Sequence, residues 1–157
     1  MSKSKSPNED YIIRIKSSVE QFESNGSASE EEADRIELMT RGSLVKKGSS
    51  YYISYKETQT IGFEGCTTTI KIAEDGSRVA LLRFGRANAQ LMIERGRRNL
   101  CHYETDVGSL TLGVTGDGIE CDLTEKGGHA TFSYLLDAED ARIISRNTLE
   151  MTVQHVN

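Results

Sequence analysis

Apolar and polar residues alternate through most of this chain, and this period of two restricts its fold more than any other feature. The run from 13 to 20 places Ile13, Ile15 and Val19 on one face of an extended segment. Polar and charged residues occupy the opposite face of the same run. This alternation is typical of a β-strand with one face buried and the other in water. The same pattern recurs at 36–44, 51–57, 66–72, 79–84, 110–114, 119–123, 130–136 and 149–153.

Glycine-containing turns separate these runs, and the single proline, Pro7, lies before all of them. Asp75-Gly76, Gly116-Asp117-Gly118 and Gly127-Gly128 each predict a tight turn between two strands. The segment 86–98 contains good helix formers, but Ala89, Leu91 and Ile93 alternate, so we interpret it as a strand. The stretch 23–34 is polar and acidic and predicts a long hairpin loop, and 1–9 predicts a disordered tail.

The order of short strands and short connections predicts an all-β, antiparallel up-and-down barrel of about 8–10 strands. An open sheet of this size would expose two edges, and closure into a barrel removes both. A β-sandwich is the alternative, but hairpin-short connections favour pairing between sequence neighbours. We therefore expect a single barrel domain over 10–157.

Charge and composition limit the function. The net charge of −5 argues against nonspecific binding to nucleic acid, which depends on many Lys or Arg contacts to phosphate. No apolar run reaches the roughly 18 residues of a membrane span, and the polar first ten residues lack a signal-peptide core. The three cysteines are odd in number and dispersed in strand-like runs, which is typical of buried free thiols. We expect a cytoplasmic protein that is a monomer or homodimer.

Several short sequence segments occur in a characteristic order and spacing. They are Tyr51-Tyr52-Ile53-Ser54-Tyr55-Lys56-Glu57-Thr58, Thr67-Thr68-Thr69-Ile70-Lys71-Ile72, Leu82-Arg83-Phe84-Gly85, Tyr103-Glu104-Thr105, Gly108-Ser109-Leu110, Leu112-Gly113-Val114-Thr115, Gly127-Gly128 and Phe132-Ser133-Tyr134. Over about 10–154 the chain resembles the YwiB-like family of bacterial proteins of unknown function. This resemblance implies a calycin-like (lipocalin-like) β-barrel. It implies no reaction, cofactor or catalytic residue, and small-molecule binding by other calycins is only an analogy of fold.

Two opposite charges fall on the face predicted to point inward. Glu57 is in phase with Ile53 and Tyr55, and Arg83 is in phase with Leu81. This placement predicts an ion pair at the barrel mouth. The pair could anchor a ligand, with Arg83 binding a carboxylate or phosphate. It could equally fill the barrel, because buried charges usually pair with each other.

A basic cluster consists of Arg83, Arg86, Arg95, Arg97 and Arg98, with His102 close behind. Its segment Arg95-Gly96-Arg97-Arg98 is predicted as a hairpin tip. It could contact an anion or an RNA phosphate, but a solvated turn balanced by nearby acids explains it as well. Aromatic residues are sparse around it, which argues against an oligonucleotide-binding groove. His102, His129 and His155 are scattered, and no His or Cys spacing predicts a metal site or another cofactor site. The run Thr67–Thr69 is explained by the β-propensity of threonine, and no nucleophile motif is present.

Three functional hypotheses remain at this point. The first is a non-catalytic barrel that binds a small anionic or amphipathic molecule at one mouth. Its predicted site residues are Tyr55, Glu57, Arg83, Arg98 and Tyr103. The second is an enzyme in which Glu57 acts as general acid or base and Arg83 holds the substrate. The third is an interaction protein with a filled barrel.

Overall fold

The computed structural model describes residues 10–22, 34–57, 65–85, 88–105, 108–138 and 143–156. Its regular structure consists of ten β-strands. In chain order they are β1 (Tyr11–Gln21), β2 (Asp34–Lys47), β3 (Ser50–Lys56), β4 (Thr67–Ala73), β5 (Arg78–Phe84), β6 (Ala89–Glu94), β7 (Arg98–Thr105), β8 (Gly108–Thr124), β9 (Gly127–Asp137) and β10 (Ile143–His155). Within these ranges no helix has the length and apolarity to cross a membrane.

The strands form one closed antiparallel barrel in which each strand pairs with its neighbours in sequence. Closure comes from β1, which pairs with β2 on one side and with β10 on the other. The predicted all-β, up-and-down barrel is therefore confirmed, and the sandwich alternative was wrong. The strand count lies at the upper end of the expected range.

The period of two determines which residues fill the barrel. Antiparallel partners face the same side of the sheet, so inward residues on successive strands form rows around the wall. One row contains Ile72, Val79 and Ile93, and all three are fully buried. The next row contains Ile53 and Ile70, which are also fully buried. These rows pack the interior with branched side chains, as in other barrels of similar strand number.

The turn predicted at Gly116–Gly118 was wrong. β8 continues through this segment as a single strand, with a β-bulge between Gly116 and Ile119. A Cβ atom at Gly116 would lie 2.4 Å from the carbonyl oxygen of Glu94, since the β6–β7 turn crosses β8 here. The glycine therefore allows a close backbone approach, which is the other common reason for glycine in a strand.

The two ends of the barrel differ in their connections. The turn end carries the short connections 48–49, 74–77, 95–97 and 125–126. The loop end carries the connections 22–33, 57–66, 85–88, 106–107 and 138–142. The predicted long loop at 23–34 falls almost entirely outside the described residues, as does the predicted tail at 1–9. The predicted site residues Tyr55, Glu57, Arg83 and Tyr103 belong to the loop end.

Candidate functional site

The polar residues of the site share one inward row, one step nearer the loop end than the row of Ile53. Tyr55 on β3 pairs with Thr68 on β4, and Thr68 pairs with Arg83 on β5. Arg83 pairs in turn with Ala89, and Ala89 with Tyr103 on β7. Strand register thus places these residues in one row, although Tyr55 and Tyr103 are 48 positions apart in the sequence (103 − 55). We call this set, together with Glu57 and Tyr134, the mouth group.

Glu57 lies at the centre of the mouth group. It follows β3 directly, and its backbone N–H donates to the carbonyl oxygen of Cys66, which keeps its side chain in the inward phase. Only 1% of that side chain is exposed. Its Oε2 accepts a hydrogen bond from the Thr68 hydroxyl and lies 3.9 Å from Nη2 of Arg83. Its Oε1 has no hydrogen-bond partner within the described part of the chain.

Arg83 connects the buried carboxylate to the solvent. Its side chain is 13% exposed, whereas that of Glu57 is almost completely enclosed. The two side chains form the ion pair that the phase of β3 and β5 predicted. Ala89 is the cross-strand neighbour of Arg83 and has the smallest side chain in the row.

Two tyrosine hydroxyls adjoin the ion pair and stay protonated. Tyr55 and Tyr134 are both buried. Burial raises the pKa of Tyr55 well above its ordinary value, and the nearby Glu57 carboxylate raises it further. Burial also raises the pKa of Tyr134, with a smaller contribution from Tyr103. These hydroxyls are therefore neutral groups that can donate or accept hydrogen bonds.

Arg98 lies apart from the mouth group, although its sequence position suggested a place in the site. Its register partner is Thr115, on the outer face of β8. Its Nε and Nη2 donate to the two carboxylate oxygens of Asp137, over 2.9 and 2.6 Å. The pair crosses Gly113, where a Cβ atom would lie 2.4 Å from Arg98 Nε. Arg98 has a fixed structural partner on the outer wall, and we leave it out of the proposed site.

The neighbouring basic residues also have local structural roles. Arg95 Nη2 donates to the carbonyl oxygens of Gly76 and Ile119, over 3.2 and 2.8 Å, and so joins two turns to β8. His102 lies 3.8 Å from Glu104 on the outer face of β7. Arg86 of the basic cluster falls outside the described residues. The solvated, locally balanced turn is the interpretation that these contacts favour.

The three cysteines are free thiols, and Cys66 and Cys101 are buried. Burial raises the pKa of the Cys101 thiol and of the partly buried Cys121 thiol. Across the described ranges, no group of three or more His, Cys, Asp or Glu side chains is arranged to hold a metal ion.

Two polar members of the mouth group, Thr68 and Tyr134, were not predicted as site residues. Both are in the inward phase of their strands, Thr68 with Ile70 and Tyr134 with Phe132. The alternation of the sequence could therefore have predicted that both side chains point into the barrel. Their partners depend on strand register, which the sequence pattern does not specify.

The closed antiparallel barrel with polar residues at one mouth defines a calycin-like barrel protein. The chain belongs to the family described as a domain of unknown function, DUF1934, whose profile matches residues 21–151. It is similar to the crystal structure of the ywiB protein from Bacillus subtilis, with a TM-score of 0.75 and 20% sequence identity. The match covers 94% of this chain and 92% of that one, which shows a shared fold. The resemblance to the YwiB-like family is confirmed. Among curated proteins there is no match.

Proposed function

We propose that this protein binds a small molecule in the cytoplasm, without catalysis, at the loop end of its barrel. Tyr55, Glu57, Arg83 and Tyr103 would contact the ligand. One observation carries the proposal: Glu57 is a buried carboxylate with one oxygen lacking a partner in the described structure. Burial of a charge is costly unless it is both paired and hydrogen-bonded. A ligand that contacts Oε1 would complete the bonding of this group.

A purely structural role for the ion pair fits the contacts less well. A pair that only fills the barrel is most stable when all of its polar atoms are bonded and its charges approach closely. Here Glu57 and Arg83 are 3.9 Å apart, beyond hydrogen-bonding distance. The apolar rows below, such as that of Ile53 and Ile70, already fill the barrel towards the turn end. Tyr55 and Tyr134 pack with these rows, but Oε1 of Glu57 has no partner in the described structure, so we assign the polar layer to binding.

Binding also fits better than catalysis. General acid–base chemistry needs a group that exchanges a proton readily near neutral pH. Burial keeps the Tyr55 and Tyr134 hydroxyls protonated, so neither hydroxyl is such a group. The described members of the mouth group include no histidine to act as a base.

A concave surface elsewhere on the protein lacks this imbalance. A depression of about 420 Å³ near the turn end is lined by Glu74, Asp75, Glu120 and Asp122. These four carboxylates are exposed to water, so their charges need no ligand. In the mouth group, by contrast, the Glu57 carboxylate is buried and its Oε1 has no hydrogen-bond partner among the described residues.

A double variant, Glu57→Gln with Arg83→Met, tests the proposal. It removes both charges together and so avoids leaving one charge buried alone. The wild type, this variant and Lys56→Gln would each be incubated with a protein-free metabolite extract and measured by native mass spectrometry. Lys56 is exposed on the outer face beside Glu57 and serves as the control.

We expect a retained small molecule on the wild type and on Lys56→Gln, and its loss from the double variant. Circular dichroism would establish that the double variant is folded. Failure of the wild type to retain any metabolite would contradict the proposal, as would equal retention by the double variant.

A further inference from the structure

The charges of the mouth group balance each other. Among the described members of the group, Glu57 carries the negative charge and Arg83 the positive charge, at a separation of 3.9 Å. Tyr55 and Tyr134 add no charge. A ligand that enters this group therefore meets a neutral site.

An anionic ligand would meet repulsion here. An anion bound at the Arg83 guanidinium would also lie close to the Glu57 carboxylate, which is 3.9 Å from Nη2 of Arg83. Like charges placed side by side in a desolvated site are strongly unfavourable. The expectation of an anionic ligand at this mouth rested mainly on Arg83, and the position of Glu57 beside Arg83 argues against it.

The hydrogen-bonding inventory points to a specific kind of ligand atom. A carboxylate can only accept hydrogen bonds. Oε2 of Glu57 already accepts from Thr68, and Oε1 is buried without a partner among the described residues. Oε1 therefore requires an N–H or O–H donor. Fully ionised carboxylates and phosphates have no such donor to offer.

We infer that the ligand is a neutral molecule that donates a hydroxyl or amide hydrogen to Oε1 of Glu57, and not a carboxylate or phosphate. This inference rests on the proposed binding function and names the ligand class for the same site. The hydroxyls of Tyr55 and Tyr103 can bond to either a donor or an acceptor on the ligand. The carboxylate of Glu57 accepts only, so Glu57 determines the preference for a neutral ligand that donates.

Matched pairs of small molecules test the inference. Each pair consists of an amide and the corresponding carboxylate, for example nicotinamide with nicotinate and lactamide with lactate, or an alcohol and its phosphate ester. Binding would be measured by NMR titration of the backbone amides of Thr68 and Ala89, which lie in the site row. We expect the neutral member to bind at least about tenfold more tightly than the anionic member.

The variant Glu57→Gln gives the sharper result. Glutamine has nearly the same shape, but it removes the negative charge and introduces an N–H donor. The site then loses the negative charge beside Arg83, so the preference should reverse in favour of the anion by about tenfold. Glu20→Gln makes the same charge change at an exposed position of β1 near the loop end. It should leave the preference unchanged, because solvent and salt screen exposed charges.

The possible failures are distinguishable. Equal or tighter binding of the anion by the wild type would overturn the inference while leaving a small-molecule site at the mouth. A Glu57→Gln variant that keeps the neutral preference would also overturn it. If no member of any pair shifts the Thr68 or Ala89 resonances, the proposed function itself fails.

Discussion

Three consecutive threonines on β4 occupy three different environments, and this allows a controlled test of the mouth group. Thr67 is exposed, and Thr68 is buried and donates to Glu57. Thr69 is half-buried on the outer face, where its hydroxyl lies 2.8 Å from that of Ser54. Replacement of each by valine conserves the shape of the side chain and removes only the hydroxyl chemistry.

We expect Thr68→Val to be the most costly of the three. A hydrogen bond to a charged group contributes about 1.5–3 kcal/mol, and water cannot replace it where both partners are about 1% exposed. We therefore expect a loss of about 2–3 kcal/mol. Thr69→Val should lose about 0.5–1 kcal/mol, the usual value for a bond between neutral groups. Thr67→Val should stay within about 0.5 kcal/mol, as for other surface changes.

Urea unfolding followed by circular dichroism measures these differences, with the denaturant slope compared between variants to establish that the unfolded states are equivalent. For a chain of this length the Thr68→Val loss corresponds to a fall in Tm of about 5–10 °C. If Thr68→Val were as stable as Thr67→Val, the reasoning would fail. The Thr68 hydroxyl would then contribute nothing to holding the Glu57 carboxylate, and the description of the mouth group would need revision.

Three further predictions follow from the packing and the titrating groups. Gly113→Ala should destabilise the protein by about 1–3 kcal/mol, because its Cβ would displace the ion pair that crosses β8; Gly118→Ala, which has space, should be nearly neutral in the same urea assay. In an ultraviolet titration, Tyr55 and Tyr134 should ionise last of the six tyrosines. If all six tyrosines ionised together in the folded protein, the raised pKa values of Tyr55 and Tyr134 would be contradicted. Since these pKa values are raised in the folded state, the free energy of unfolding should decrease as the pH rises above about 10. Iodoacetamide should label Cys121 more slowly than a free cysteine at pH 8 and faster as the pH increases; a rate equal to that of free cysteine would argue against the raised pKa.

Alternation in the sequence was sufficient to predict the barrel and the inward direction of Glu57 and Arg83. A period of two fixes the face of every residue within a strand, and short connections make sequence neighbours pair. The prediction at Gly116–Gly118 was wrong because glycine serves both tight turns and close backbone approaches. Only the position of the β6–β7 turn against β8 distinguishes the two uses.

Contacts across strands were less predictable than faces. The inward phase of Thr68 is visible beside Ile70, yet the hydrogen bond to Glu57 depends on the register between β3 and β4. Arg98 is a similar case, since its partner Asp137 lies 39 residues further along the chain. A one-residue shift in register would reverse the faces of a whole strand. The contacts within the site therefore depend on the register between strands, which the local sequence pattern does not specify.

The pairing of β1 with β10 has a consequence for how the chain reaches its native state. Tyr11 pairs with His155, a separation of 144 residues (155 − 11), whereas every other strand pairing joins sequence neighbours. Long-range contacts of this kind form slowly, because closing a long loop costs conformational entropy. Until they form, β1 and β10 are unprotected edges that can pair with another molecule. We expect barrel closure to be the last folding step, and substitutions that weaken this pairing to promote aggregation during refolding more than equally destabilising changes within β4 or β5.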